Sequence, residues 1–401
     1  MLGLALVRPL EDDWRVALDA VARRCGWPTS HGVARLAARV AELSEAYNDP
    51  STARASMGKA GAGRLGFAFA RDVPKAAAAV RELLATQTLR LDAPLRVLDV
   101  GAGLGAMTWG LVRALEASGA RGSVAATWTD TDAQAMNVGR MLVEERAGRA
   151  LVELKVRTMA APLDAVPDGQ FDVVLLGNVL SELDVGTDPD RRVERHAGLL
   201  QSLLDRRVDA RGSLVVVEPA LRDRARHLHR VRDRLAATGA TIFAPCLHAD
   251  ACPALERESD WCHEDLPVDL PSWLVPVARA AGLRRQGLTF SYLVVRKDRA
   301  RLADALPVRP GATRLRVVSD VMASKGKLES FVCGELGSGA SLAVARARVA
   351  RLHRDASGKN VAWKRLSRGD LIVVEPAPSR ERPRIDAETS VSIASERNES
   401  R

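Results

Sequence analysis

The sequence is poor in aromatic residues and has no long apolar run. Phe, Trp and Tyr make up 4% of the 401 residues, with only two tyrosines, so extensive stacking of a ligand on aromatic rings is not expected. No stretch approaches the roughly 20 consecutive apolar residues that a membrane-spanning helix needs. The first ten residues lack a basic residue ahead of their apolar positions. We therefore expect a soluble, cytoplasmic protein without a targeting segment.

The charge is basic and is carried almost entirely by arginine. Lys and Arg number 59 and Asp and Glu 50, a formal net charge of +9, and only eight of the basic residues are lysines. The guanidinium group suits phosphate and carboxylate partners, although a biased composition with a solvated surface accounts for the same counts. The segment 306–376 alone holds 13 basic and 6 acidic residues, so it carries most of the excess positive charge.

Changes of pattern divide the chain and predict an α/β fold. Residues 1–90 show helical spacing, and residues 91–305 alternate short β-branched runs with helical segments, as in a Rossmann-like parallel sheet wrapped by helices. An irregular, cysteine-rich insertion is predicted at 241–270. Residues 306–376 contain strands without intervening helices and predict a small, basic β module of OB-like type. The segment 377–401 lacks apolar periodicity and is predicted to be disordered.

A glycine-rich turn follows the first predicted strand of the central region. Its segment D-V-G-A-G-L-G contributes one acid and three glycines: Asp99, Gly101, Gly103 and Gly105. Glycines let the backbone turn tightly and approach a ligand, and the helix that follows offers unpaired N–H groups to an anionic group. The next strand ends in Asp130, which is spaced to accept hydrogen bonds from ribose hydroxyls, with Asp132 as the alternative.

The D-V-G-A-G-L-G pattern resembles class I S-adenosylmethionine-dependent methyltransferases more than NAD enzymes. The resemblance implies that the loop lies under the methionine and ribose of the cofactor, and that Asp99 orients the amino acid end. It also implies that four residues of the fourth predicted strand and the turn after it, F-D-V-V-L-L-G-N-V-L-S-E-L, lie beside the transferred methyl group: Gly177, Asn178, Ser181 and Glu182. The alternative is a Rossmann-type fold whose glycines serve packing alone.

No motif identifies the catalytic residues. The Asn-Pro-Pro-Tyr type segment of many amino-methylating enzymes is absent after strand four, and strands one to five contain no cysteine that could attack a pyrimidine carbon. Asn178 and Glu182 are the catalytic candidates, with Glu182 as the base, although a carboxylate after a strand more commonly lies on the surface. The sequence supports cofactor binding better than it supports catalysis.

Four of the five cysteines suggest a metal site. These are Cys246, Cys252, Cys262 and Cys333. The odd cysteine count and the absence of a secretion signal argue against disulfides. Four thiolates complete a tetrahedral zinc site or an iron–sulfur cluster, and the spacing does not choose between them. His248 or His263 can replace a thiolate in a zinc site, and burial as small apolar residues is the alternative for the cysteines.

Several short motifs together resemble one family. They are the glycine loop, N-V-L-S-E-L after strand four, V-V-E-P at strand five, P-C-x-H-x3-C-P, W-C-H and F-S-Y-L. This combination is similar to the methyltransferase-like family of small ribosomal subunit assembly factors, known from mitochondria and with bacterial relatives. The resemblance implies a 4Fe-4S cluster on the four cysteines rather than zinc, and association with the small ribosomal subunit and its rRNA. Leu247 and Glu264 depart from the family pattern, but neither removes a thiol.

Two basic segments are candidates for RNA contact. The helix predicted after strand five carries six arginines opposite its leucines, and this face is either solvated or in contact with RNA. The candidates in the β module are Arg346, Arg348, Lys364, Arg365 and Arg368. With few aromatics in the chain, we expect contacts to the phosphates of folded RNA rather than base stacking.

The residues and the resemblance together predict an S-adenosylmethionine-binding, iron–sulfur-containing, methyltransferase-like protein. It is expected to act on the rRNA of the small ribosomal subunit in ribosome assembly or translation. The alternative is a non-catalytic RNA-binding assembly factor with a structural or redox-sensing metal cluster. We expect a monomer that binds neither membranes nor DNA. Whether methyl transfer occurs is left open by the sequence.

Overall fold

The computed structural model describes residues 2–48 and 57–394, which form two sheets and a set of helices. The α/β fold predicted from the sequence is confirmed, with a Rossmann-like sheet as its centre. Within the described residues, no helix has both the length and the apolar composition needed to cross a bilayer.

The helices surround the first sheet, and four of them precede it in the chain. Those four are α1 (Asp12–Arg24), α2 (Val33–Asn48), α3 (Met57–Gly63) and α4 (Phe69–Ala85). A π-helical turn, Arg64–Ala68, joins α3 to α4. The later helices are α5 (Ala106–Ala117), α6 (Ala133–Arg146), α7 (Pro189–Arg206), α8 (Arg222–Ala237) and α9 (Val275–Ala280).

The first sheet has the strand order of class I methyltransferases. Its strands are β1 (Leu95–Val100), β2 (Gly122–Asp130), β3 (Val152–Ala160), β4 (Phe171–Gly177), β5 (Val208–Glu218), β6 (Thr241–Ala244), β7 (Glu264–Leu266) and β8 (Leu288–Arg296). The order is β3-β2-β1-β4-β5-β8-β6, with β7 paired to β8. Strands β1 to β5 are parallel, and β8 runs antiparallel between β5 and β6.

The central strands are apolar on both faces because helices cover both. Val97 of β1 packs with the core that includes α4 and α5, whereas Leu98, the next residue, packs with the core that includes α7 and α8. Runs of apolar residues are typical of such doubly covered parallel strands. Since ligands bind at the carboxyl ends of parallel strands, the loops after β1, β2 and β4 meet at the candidate site.

The second sheet has the connectivity of a partly open OB-type barrel. Its strands are β9 (Thr313–Val317), β10 (Met322–Ser324), β11 (Lys327–Leu336), β12 (Ala343–Leu352), β13 (Leu371–Glu375), β14 (Arg384–Ile385) and β15 (Ser390–Ile393). The order is β14-β12-β11-β9-β13-β15, with β10 on β11. Strands β14 and β15 follow each other in the chain, so this one segment bridges the free edges of β12 and β13.

The prediction of a disordered segment over 377–401 is wrong for residues 384–394. Ile385, Val391 and Ile393 are buried in the core of the second sheet, and their strands pair with β12 and β13. These strands have only two and four residues, too few for an alternating pattern to be recognised in the sequence. They form because β12 and β13 offer free edges for pairing. Residues 395–401 lie outside the described part of the chain.

A buried network of charged groups joins the two sheets. Glu82 of α4 accepts hydrogen bonds from Arg316 Nη1 of β9 at 2.6 Å and from the Tyr292 hydroxyl of β8 at 2.9 Å. Arg81 lies beside it and contacts Glu264 at 3.3 Å. All five side chains are almost completely inaccessible to solvent. The second sheet is therefore attached to the first by ionic contacts as well as by apolar packing.

Candidate functional site

The glycine-rich turn between β1 and α5 borders a cleft at the carboxyl ends of the parallel strands. Gly101 and Gly103 have φ angles of 69° and 52°, in the left-handed region that favours glycine. A Cβ atom added to Gly103 would meet no atom within 4 Å, so this residue faces open space. A Cβ atom added to Gly105 would lie 2.2 Å from the Trp128 ring. The loop thus combines an open face with close packing beneath it.

Asp99, predicted to orient the cofactor, is buried under the loop instead of lining the cleft. Its Oδ2 accepts hydrogen bonds from the Thr108 N–H at 3.1 Å and the Thr108 hydroxyl at 2.7 Å. Its Oδ1 has no hydrogen-bond partner among the described residues. Burial raises the pKa of Asp99 to about 7. The structure therefore gives Asp99 a role in holding the start of α5.

Asp130 lies in the cleft, as the sequence predicts for a ribose-binding acid. One carboxylate oxygen accepts a hydrogen bond from the Gly103 N–H at 2.9 Å, and the other accepts from the Asp132 N–H at 2.9 Å. Asp132 itself caps α6 by accepting from the Ala135 N–H at 2.9 Å. Asp130 therefore ties the glycine loop to the loop after β2, and Asp132 has a structural role.

Three adjoining cavities meet at the end of β4. The strand-end cavity, about 320 Å³, lies against Asp130, and the loop cavity, about 90 Å³, lies against the glycine turn. The helix-side cavity, about 510 Å³, lies between α2, α4 and the turn after β5. Asn178 and Glu182 line all three, and Ser181 lines the helix-side cavity. The two catalytic candidates thus lie where the cavities meet.

Glu218, to which the sequence assigned no role, holds the turn that carries those candidates. Its carboxylate accepts hydrogen bonds from the Leu180 N–H at 2.8 Å and the Ser181 N–H at 3.1 Å. Asn178 has a φ of 59° and donates its own N–H to the Val217 carbonyl at 2.8 Å. Burial raises the pKa of Glu218 to about 7. The sequence does contain a sign of this role, because Glu218 is an acidic residue at the end of an otherwise apolar strand.

The four predicted ligand cysteines line one small cavity between the two sheets, the cysteine cavity. Its lining includes Cys246, Cys252, Cys262, Cys333, His229 and His248. The Cys333 Sγ lies 3.8 Å from His248 Nε2, and the cysteines are all free. In the part of the chain that the structure describes, no three His, Cys, Asp or Glu side chains stand in an arrangement that would hold a metal ion. The thiols are brought together as predicted, but the predicted 4Fe-4S cluster is not supported by their geometry.

Burial disfavours the thiolate form of three cysteines in this cavity, Cys252, Cys262 and Cys333. Burial raises the pKa of Cys252 to about 12, and the neighbouring Cys246 adds to the effect. Burial also raises the pKa of Cys262 and Cys333, again with contributions from the adjacent thiols. A metal that binds here would have to displace these protons.

Helix α8 holds the cysteine segment, residues 245–263, through its arginines. Arg226 Nη1 donates hydrogen bonds to three carbonyls: Ala254 at 3.0 Å, Arg257 at 2.7 Å and Asp260 at 2.7 Å. Arg232, which is buried, donates to the carbonyls of His248 and Asp250. The sequence suggested that the arginines of this helix are either solvated or in contact with RNA. These two arginines instead bind backbone carbonyls of the cysteine segment.

Neighbouring residues at the end of the cysteine segment line different cavities. Cys262 lines the cysteine cavity, while His263, the next residue, lines the helix-side cavity. Trp261 stacks on His263, with ring centroids 5.7 Å apart, and donates its Nε1–H to the Ala220 carbonyl at 3.1 Å. Cys262 and His263 thus lie between the cysteine cavity and the helix-side cavity.

The RNA-contact candidates of the β module differ in their exposure to solvent. Arg346 lies against the cysteine cavity with its side chain 11% exposed and pairs with Asp260, so its guanidinium group is engaged within the protein. Arg346 is largely covered because the cysteine segment packs against this face of β12, a contact that could not be predicted from the sequence. Lys364 and Arg365 are exposed, Arg368 is half-buried, and Arg348 pairs with Glu329 at 2.7 Å while remaining exposed.

Comparison with known proteins identifies one family. The family model described as mitochondrial small ribosomal subunit Rsm22 matches residues 66–367. No curated protein matches the chain.

Several solved methyltransferase structures match part of the chain at low identity. Magnesium protoporphyrin IX methyltransferase from Synechocystis PCC 6803, with bound SAM, is 14% identical, with coverage of 57% of this chain and 83% of its own and a TM-score of 0.32. The ribosomal protein L11 methylase from Lactobacillus delbrueckii subsp. bulgaricus is 16% identical, with coverages of 55% and 79% and a TM-score of 0.30. The plantazolicin methyltransferase BpumL in complex with SAH is 10% identical, with coverages of 71% and 96% and a TM-score of 0.34.

Proposed function

This chain belongs to the Rsm22 family, and we propose that it is an S-adenosylmethionine-binding, methyltransferase-like protein that acts on the RNA of the small ribosomal subunit. The observation that carries the proposal is the junction at Asn178 and Glu182. There, a cavity beside the glycine loop and Asp130 adjoins a second, larger cavity on the helical side. Methyl transfer needs one space for the donor and one for the acceptor, and the two spaces have to meet where the methyl group is transferred.

The cleft residues fit S-adenosylmethionine. The open face of Gly103 lets the cofactor approach the backbone, and the strand-end cavity next to Asp130 has room for its nucleoside. A carboxylate offers about four acceptor positions, so Asp130 can accept from ribose hydroxyls while it holds the loop. Asn178, at the meeting point of the cavities, would contact the end of the cofactor that carries the methyl group.

The bound cofactor supplies an electrophilic methyl group, and the protein's residues align and deprotonate the acceptor. Glu182 lines the cavities on both sides of the junction, where a carboxylate can take the proton that the acceptor nitrogen or oxygen loses. Asn178 can orient the acceptor through its amide. In-line alignment accounts for much of the acceleration in such a transfer.

Tritiated S-adenosylmethionine and purified small-subunit rRNA test the proposal. We expect the wild type to bind the cofactor and to transfer tritium to RNA. Asp130→Ala should weaken cofactor binding by about tenfold or more, and Glu182→Gln should retain binding but slow transfer by about 100-fold. Glu144→Gln, on the exposed face of α6, is the control. Absence of cofactor binding would overturn the proposal, and binding without transfer would favour the non-catalytic assembly factor.

We also propose that the four cysteines of the cysteine cavity bind a 4Fe-4S cluster, with zinc as the alternative. The support is the set of sulfur donors, since four cysteines line one cavity, together with the family resemblance. Soft sulfur donors suit both centres. A bound cluster would tie the cysteine segment to β11 of the second sheet through Cys333.

Anaerobic purification followed by metal analysis and ultraviolet–visible spectroscopy tests the metal. We expect about four irons per chain and a brown protein. Stoichiometric zinc would select the alternative, and a metal-free protein would refute both. Cys333→Ser should reduce cluster absorbance and increase protease cleavage in the second sheet, whereas Cys25→Ser, outside the cavity, should change neither.

A further inference from the structure

The helix-side cavity is the largest described space that reaches the catalytic candidates. Its volume of about 510 Å³ lies within the roughly 300–1,000 Å³ typical of small-ligand pockets. One end is formed by Asn178 and Glu182, and the rest by α2, α4 and the turn after β5. A molecule in this cavity would therefore present one edge to the junction.

The walls of the cavity suit a flat group with apolar faces. Leu43 and Phe67 are buried side chains of the wall, and Leu221 and Tyr47 are exposed ones nearer the solvent. The two aromatic rings are notable in a chain with so few. Nucleobases pack their faces against such side chains and keep their polar edge for hydrogen bonds, which Asn178 at the inner end can supply.

Two arginines give the cavity an anion-binding character. Arg71 Nη1 donates to the Arg284 carbonyl at 3.2 Å, and Arg224 Nη2 donates to the Tyr47 carbonyl at 2.7 Å. These bonds fix the guanidinium groups, and each group has further N–H donors for a phosphate. The third cation, Lys75, is paired with Asp72 at 2.7 Å.

We propose that the helix-side cavity binds a single unpaired nucleotide of the RNA, with the base between Phe67 and Tyr47 and a flanking phosphate on Arg71 and Arg224. A base within a duplex cannot reach the junction, so the nucleotide has to be unpaired or turned out of its stack. This assignment rests on the proposed function and adds to it the site and the state of the acceptor.

Cross-linking of the full chain to a single-stranded small-subunit rRNA fragment that contains 4-thiouridine tests the assignment. We expect cross-links in the peptides that carry Tyr47 or Phe67. Ser44→Trp, which places an indole in the cavity, should lower the cross-link yield by about tenfold. Arg224→Ala should lower it by about fivefold. The matched controls are Ser202→Trp, on the exposed face of α7, and Arg234→Ala, an exposed arginine at the other end of α8.

Parallel measurements separate the assignment from the proposed function. Tritiated S-adenosylmethionine should bind Ser44→Trp and the wild type with affinities equal within about twofold. Cross-links outside the cavity, or equal yields in Ser44→Trp and the wild type, would overturn the assignment even if methyl transfer to RNA occurs. Methyl transfer to a protein side chain would overturn it as well. If RNA cross-links to the helix-side cavity but the protein binds no S-adenosylmethionine, the nucleotide site is supported and the proposed function is refuted.

Discussion

The Glu218 carboxylate links protonation to the stability of the site. Burial raises its pKa to about 7, against roughly 4.3 for an unfolded glutamate. Between these two pH values the folded protein binds more protons than the unfolded chain, so the free energy of unfolding falls as the pH rises. The Asn178–Glu182 turn depends on this same carboxylate through its hydrogen bonds to Leu180 and Ser181.

Glu218→Gln removes the ionisation but keeps one oxygen acceptor. The quantity to compare is the free energy of unfolding of the wild type minus that of the variant. We expect this difference to fall by about 1.4 kcal/mol for each pH unit as the pH rises from roughly 4.3 to 7. Above about pH 7 the difference should stay constant. Urea unfolding at several pH values measures it, with Glu153→Gln on exposed β3 as the control for loss of a carboxylate. A pH-independent difference for Glu218→Gln would contradict this account.

At the residue scale, the sequence located the cleft but only some of its functional groups. Asp130 and the glycines could be predicted because their roles follow from positions within one strand–turn–helix unit. The role of Glu218 depends on Leu180 and Ser181, which belong to another element and are not visible as a motif. Asp99 has the predicted position, but Thr108, nine residues later, uses its carboxylate.

Helix α8 holds the cysteine segment through Arg226 while its apolar face packs in the core. Arg226 donates to three carbonyls of the cysteine segment from one guanidinium nitrogen. Arg226→Ala should lower the free energy of unfolding by about 2 kcal/mol, since these carbonyls lose a charged donor. It should also accelerate chymotrypsin cleavage within residues 245–263. Limited proteolysis with mass spectrometry measures the cleavage.

Two variants of α8 sharpen this expectation. Arg226→Lys should restore little, because a single ammonium group cannot reproduce the planar donor set of the guanidinium. Arg234→Ala removes an exposed arginine that pairs with Glu194, and it should leave cleavage unchanged. Equal protection of the cysteine segment in Arg226→Ala and Arg234→Ala would show that α8 does not hold the segment through Arg226.

At the scale of elements, the sequence predicted the long strands and missed the short ones. Strands β1 to β5, β8, β9 and β11 to β13 correspond to apolar or alternating runs in the chain. Strands β14 and β15 have two and four residues, and they exist because β12 and β13 offer free edges. The arginine-rich face of α8 was visible as a pattern, but its partner, the cysteine segment, could not be inferred from the helix alone.

The whole molecule is joined at Glu82. Burial acts to raise the pKa of this carboxyl, but the Arg316 and Arg81 guanidinium groups and the hydrogen bonds outweigh it, so the pKa lies below its usual range. Its contribution to stability is therefore complete above about pH 4.3, the value for an unfolded glutamate, and is lost as the pH falls through the lower pKa of the folded state.

Glu82→Gln leaves Arg316 and Arg81 buried without their common partner. We expect the free energy of unfolding at neutral pH to fall by about 3 kcal/mol, and the difference from the wild type to shrink below roughly pH 4. Denaturant unfolding at neutral and acidic pH tests this. Glu42→Gln, which removes an exposed ion pair with Arg39, should have an effect below about 1 kcal/mol. A similar loss in both variants would mean that the buried network does not stabilise the protein.

The buried network also sets an order of events for a chain that is being synthesised. Residues 81, 82 and 292 belong to the first sheet and its helices, whereas residue 316 belongs to the second. Before β9 has been made, Glu82 has Arg81 and Tyr292 as partners but lacks the Arg316 guanidinium, so its burial is less well compensated. The first sheet therefore reaches its full stability only after β9 has been made and Arg316 pairs with Glu82.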